Sequence, residues 1–242
     1  MIRTMNLCTI LLKNLKEKYK YMKKIYLIGD CHLSRVSEHY YDYSPEIEMF
    51  FWGKAAKKIW DLDFEKMNQE KELSSGKEEQ KFKDDGVIPF SDIKDDSIVF
   101  SWFGYVDIRT FLPKYKNADE VAKKYINDLI SYFKDSKIVI IEPLPQFTEM
   151  LLKYDGISTY YTYSERINQN NLFLSSLHKY AEQAGLHRFI LQSEILNAIG
   201  ADELTPDMTH EKAPHPVDGL KDEYNKKIFD LFIKKVAYYI NE

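Results

Sequence analysis

Cysteine is scarce in this chain: Cys8 and Cys31 are the only two in 242 residues. Two thiols, one of them in a segment that reads as peripheral, build neither a disulfide framework nor a CxxC zinc site, and a reducing compartment is the easier fit. Positive charge is not in excess either. Lys and Arg total 34 against 38 Asp and Glu, a net charge of -4. A general nucleic-acid binder, which needs a basic face to neutralise phosphates, is thereby disfavoured. Long hydrophobic runs are missing too. The opening "MIRTMNLCTILLKNLKEKYKYMKK" holds only a short apolar run before Lys13, less than a signal-peptide core of roughly 7–15 residues and far less than a membrane span. Residues 1–22 read as an N-terminal extension, amphipathic or upstream of a natural start at Met22, and a cytoplasmic protein without a membrane span is expected. No GxGxxG or GxxxxGK[ST] occurs, so a nucleotide-binding domain would have no phosphate cradle, and no HExxH spacing supplies a zinc site. No cofactor and no metal is expected.

What is present describes a folded domain. Hydrophobic residues make up 44% and charged residues 30% of the chain, the balance of a globular protein. Short apolar runs at 24–30, 97–104, 137–145 and 188–192 have the pattern of strands buried on both faces. Helical spacing occupies 45–60, 119–134, 164–184 and 219–240. Alternation of this kind predicts right-handed crossovers and a central parallel sheet between helices, a three-layer α/β/α sandwich of flavodoxin-like type. One domain over residues 23–242 is expected. Within it, residues 61–96 break the rhythm as a charged insertion, a solvated helix and loop or a lid.

In such sheets ligands bind beyond the carboxyl ends of the strands. Three polar clusters fall there: "GDCH" after the first strand, "GYVDIR" after the second, and "TPDMTHEKAPHPVDG" before the last helix. Cys31, at a strand-to-helix turn, is placed for a helix dipole to favour its thiolate, although a cysteine ending an apolar run is commonly a small core residue. In the third cluster Asp207 and His210 are three apart, a spacing that lets a carboxylate orient an imidazole. His215 stands between two prolines that stiffen its backbone. Asp107 and Arg109, two apart, would point to one side and either bind a polar substrate or form a buried pair bracing the loops. His32, His39, His178 and His187 read as structural or exposed. The tyrosine-rich "EHYYDYS" (38–44) offers stacking surface for sugar rings or plain packing.

The order of these motifs resembles the SGNH (GDSL-type) hydrolase superfamily. "IGDCH" stands for its Gly-Asp-Ser block, "FFWGKAA" with Gly53 for its second block, "FGYVDIR" for its Gly-x-Asn-Asp block, and "DMTHEKAPHP" for its Asp-x-x-His. The combination also looks like a branch reading GDSH, GP or GK, and FGEIDCR, often encoded near polysaccharide genes. The resemblance implies an O-acyl (acetyl) esterase or acyltransferase, with a small-molecule or carbohydrate ester as substrate. Cys31 takes the nucleophile position, with its backbone N–H and that of Gly53 at the oxyanion. His215 or His210 is the base, His215 preferred, with Asp207 as orienting carboxylate. Asp30 shapes the nucleophile turn, while Gly104, Asp107 and Arg109 belong to the third block. Two departures stand out. Cysteine replaces serine, which gives a thioester with different deacylation. Val106 replaces the asparagine whose side chain would donate to the oxyanion, and a donor of that kind is worth roughly 2.7–4 kcal/mol in a serine protease. Both changes also suit a non-catalytic binding protein that kept the cleft.

Overall fold

The computed structural model describes residues 25–37, 39, 49–54, 58–64, 97–108, 112, 117–146, 162–209 and 220–242. Among the described residues five strands run parallel in one sheet: β1 (Ile25–Asp30), β2 (Met49–Lys54), β3 (Ile98–Trp102), β4 (Lys137–Ile141) and β5 (Phe189–Ile190), in the order β2-β1-β3-β4-β5. The described α-helices are α1 (Cys31–Ser37), α2 (Ala118–Tyr132), α3 (Tyr163–Gln183), α4 (Gln192–Ile199) and α5 (Asp222–Asn241). The expected α/β/α sandwich is the observed one.

Alternation along the strands separates two cores. Ile25, Leu27, Phe100, Trp102, Val139 and Ile141 face α1, α4 and α5, where they meet Leu33, Ile195, Phe229 and Phe232. Tyr26, Ile28, Val99, Ile138 and Ile140 face α2 and α3, against Val121, Tyr125, Ile126, Phe173 and Leu177. Strands buried on both faces are apolar at nearly every position, which is why they stood out as near-continuous runs. Their ladder satisfies the backbone groups that burial would otherwise leave costly.

Within the stretch 45–60, expected as helical, the described residues form β2 and the start of a 3-10 turn at Ile59–Asp61. "MFFWGK" places three aromatic residues and a glycine in succession. Aromatics suit a pleated surface, and a glycine inside a helix costs about 1 kcal/mol. The charged insertion begins differently than expected as well, since Leu62 and Phe64 are core residues, the latter packed on Tyr132 and Phe133. Residues 65–96, the extension 1–22 and most of the tyrosine-rich stretch lie outside the described residues. No helix among the described residues is long and apolar enough to cross a membrane.

Candidate active site

The sheet order reverses between β1 and β3: the chain moves outward to β2 on one side, then to β4 and β5 on the other. At such a switch point adjacent crossovers leave on opposite faces and open a crevice at the strands' carboxyl ends. Asp30 and Cys31 leave β1 at this point, and Gly104 to Ile108 leave β3.

The register brings the first two blocks together. Gly29 lies opposite Gly53 on one side and Trp102 on the other, and Asp30 lies opposite Lys54. The first-block glycine is needed for close approach. A Cβ at Gly29 would stand 2.8 Å from the Trp102 carbonyl oxygen and 3.0 Å from Leu33 Cβ, where α1 folds back over the sheet. Asp30 is buried, and its Oδ1 accepts the His32 N–H at 3.1 Å. The carboxylate thus caps α1, satisfying one of the N–H groups that a helix start leaves without a partner. This cap sets Cys31 as the first residue of α1. His32, expected as structural or exposed, is buried with its ring edge-on to Tyr105 at 4.6 Å.

The third block is a tight turn. Gly104 has φ of +117° and packs so closely that a Cβ would meet Pro143 Cγ at 2.8 Å. From it residues 105–108 coil into a helical turn, closed by the Ile108 N–H on the Gly104 carbonyl at 2.9 Å. Val106, at the asparagine position of the resemblance, is buried, and its side chain carries no donor. Asp107 is fully buried, and both carboxylate oxygens accept the Ile59 N–H, at 3.1 and 2.9 Å. Burial pushes its pKa up to about 7; the Ile59 N–H opposes the rise and the Asp30 charge adds to it. Its described partner is thus the turn after β2, which joins the second and third blocks. Beneath them the Tyr125 hydroxyl and Ser101 Oγ share a hydrogen bond of 2.7 Å, and burial holds that phenol well above its usual range.

The C-terminal block is represented by its base. Asp207 lies exposed in the 3-10 turn Pro206–Met208 and accepts a short hydrogen bond from Thr205 Oγ1. That bond, with its own backbone N–H and the Lys221 charge, holds the carboxyl below its usual range. Thr209 and Leu220 pair across an antiparallel bridge, and the Lys221 N–H donates to the Met208 carbonyl at 2.8 Å. Thr209 and Leu220 therefore lie side by side. His210, His215 and Arg109 lie outside the described residues, as does the side chain of Cys31. Among the described residues no group of three or more His, Cys, Asp or Glu side chains is placed to hold a metal.

Sequence reasoning passed over Glu142, at the exit of β4. One of its oxygens pairs with His178 Nε2 at 2.6 Å, and the other accepts the Gln192 N–H at 2.6 Å. The signal was a lone acid directly after an apolar strand, next to "PLP".

No protein-family model and no curated protein matches the sequence. Solved structures do match in fold. A lipase/acylhydrolase from Enterococcus faecalis superposes with a TM-score of 0.55 at 13% identity, covering 90% of this chain and 97% of the other. A GDSL-like lipase from Bacteroides thetaiotaomicron gives 0.55 at 13% identity, covering 94% and 97%. The chain shares the fold of these two structures over nearly the full length of both partners.

Proposed function

We propose that this protein is an SGNH-type hydrolase or acyltransferase of O-acyl esters, with Cys31 as its nucleophile. The observation that carries this is the placement of three blocks at one switch point: Cys31 heads α1, Gly53 lies opposite Gly29, and the Gly104 turn stands beside them. Acyl transfer requires that convergence, because the attacking atom and the donors to the carbonyl oxygen must meet one small group. In the reaction the Cys31 sulfur, its proton taken by His215 or His210, attacks the ester carbonyl. The tetrahedral adduct collapses to a thioester, and the imidazolium returns the proton to the departing alcohol. Water, or an acceptor hydroxyl, then takes the acyl group by the same route and restores the thiol. Asp207 orients the imidazole. A carbohydrate acceptor is supported by the resemblance of "IGDCH", "WGKAA" and "FGYVDIR" to the branch encoded near polysaccharide genes.

The test is hydrolysis of p-nitrophenyl acetate and of acetylated sugars. Cys31→Ala is expected to reduce turnover to background, while Cys31→Ser retains or improves it. Equal rates for wild type and Cys31→Ala would end the hydrolase reading. A second reading, a binding protein of SGNH fold, draws support from the buried Val106 in place of a side-chain donor. The two differ in the acidity of Cys31. A nucleophile reacts with a thiolate-selective reagent well below the ordinary thiol pKa of about 8.5, and a spectator thiol titrates near it.

A further inference from the structure

Asp107 turns both oxygens to the Ile59 N–H, 48 positions earlier in the chain, and the Trp60 N–H and its own also lower its pKa. The Ile59 N–H opens the turn Ile59–Asp61, the first described structure after β2 and Gly53. At the other end of the turn, Lys124 Nζ of α2 donates to the Leu62 carbonyl at 3.1 Å and the Ile59 carbonyl at 3.5 Å. A carboxylate thus meets the turn's N–H end and an ammonium its carbonyl end, the arrangement that the partial charges of a helical turn favour. A neutral Asn or Ser side chain would cap such a turn without burying an acid. What an acid adds is a proton that can come and go.

We propose that Asp107 is a positioning residue whose protonation state sets how firmly the turn behind the Gly53 segment is held. Its effect on rate rests on the hydrolase reading; its effect on the turn does not. Ionised, both oxygens accept, and their hydrogen bonds to the Ile59 N–H are charge-assisted. Protonated, one oxygen becomes a donor facing N–H donors, and the grip weakens to neutral bonds on the other oxygen. Burial brings this change to about pH 7. The groups around it come from several elements. Asp30 at the end of β1 adds its charge, and Tyr125 of α2 lies within electrostatic reach. Lys124 of α2 holds the turn and is itself bonded to Asp128. Lys58 and Asp61, on the turn, pair with each other at 3.8 Å. His32 of α1 packs on Tyr105 of the third-block turn. Of these, Asp30 and His32 are the groups whose own titration must be separated from that of Asp107.

The experiment uses the full chain labelled with 15N-isoleucine, with the Ile59 amide assigned through Ile59→Val and followed from pH 5 to 9. The Ile59 resonance is expected to move with a midpoint near 7, and the inflection to vanish in Asp107→Asn. In the ester assay, Asp107→Asn is expected to lower kcat several-fold with KM unchanged and to flatten the change of kcat across the same range. A flat Ile59 resonance in the wild type overturns the proposal. So does a midpoint that persists in Asp107→Asn, since it then belongs to Asp30 or His32. Should Asp107→Asn not fold, 13C-aspartate labelling of the wild type decides: a midpoint shared by the Asp107 carboxyl and the Ile59 amide supports the proposal, and different midpoints overturn it. If the wild type turns over no ester, the hydrolase reading fails and the resonance titration alone decides for or against Asp107.

Discussion

The third-block turn and the turn at 205–209 each present one aspartate, and the two carboxyls are driven in opposite directions. Asp107 is sealed inside the molecule with backbone N–H partners and a second acid nearby, and it rises to about 7. Asp207 lies in water beside a hydroxyl and a lysine, and it falls below the usual range. The same functional group therefore serves as a titrating brace in one place and as a permanent anion in the other. Desolvation is the larger effect where water is excluded, and hydrogen bonds decide where it is not. An orienting carboxylate beside a catalytic imidazole must stay ionised, so the exposed turn suits that role and the buried one does not.

The sharpest way to break the comparison is Asp207→Asn. If Asp207 orients the base, ester turnover should fall by roughly 10⁴-fold, as for the orienting aspartate of a serine protease, with the urea midpoint almost unmoved. Unchanged turnover would leave the exposed aspartate without a catalytic part. Next in size is the pH dependence of stability at Asp107. Its folded pKa lies above the unfolded value of 3.8, so the folded state binds the extra proton between about pH 4 and 7. The charge it buries costs nothing below that window, progressively more through it, and its full amount above. Wild type should therefore lose stability relative to Asp107→Asn on going from pH 4 to 8, by on the order of 4 kcal/mol. Parallel urea-derived curves for the two proteins would contradict the assignment.

A smaller effect concerns what holds the buried turn in place. Gly104→Ala puts a Cβ against Pro143 at a φ of +117°, and about 2–3 kcal/mol should be lost in denaturant unfolding. Gly185→Ala, at positive φ in open space, should cost only the backbone part, about 1 kcal/mol. Equal losses would mean that the Pro143 contact relaxes freely. The smallest change is expected for Thr205→Val. It removes the hydroxyl that donates to Asp207, so the carboxyl should move back up toward its ordinary value. Stability from a lowered carboxyl is present above the unfolded pKa and lost as pH falls through the folded one, so only the acid end of the stability curve should shift. Carboxyl 13C titration of residue 207 measures the movement directly.

Much of this was readable before any coordinates. The apolar runs at 24–30, 97–104 and 137–145 contain β1, β3 and β4, because strands covered on both faces are apolar at most positions. The run at 188–192 shrinks to the two residues of β5, followed at once by α4, which the spacing did not reveal. Residues 45–60 misled because a short aromatic run flanked by Glu and Lys satisfies helical and extended periodicities equally. Only pairing beside β1 decides for the strand. In the candidate site, Asp30, Gly53, Gly104 and Asp107 were all marked by type and position, and Asp30 was read as shaping the turn before Cys31, but the Ile59 partner of Asp107 was not foreseen. The N–H that occupies Asp107 belongs to Ile59, far away in sequence and in an ordinary stretch of chain.

By itself the sequence determined the layered α/β architecture and the order of the four motif blocks, since both are written in local pattern: apolar continuity, helical spacing, and glycines where the backbone must pass closely. The tertiary structure alone decided which blocks abut and which acids lose their water. Register sets Gly29 against Gly53 and Trp102, and burial raises Asp107 while leaving Asp207 solvated. Proximity and dielectric surroundings are properties of the packed chain, and no residue carries them alone.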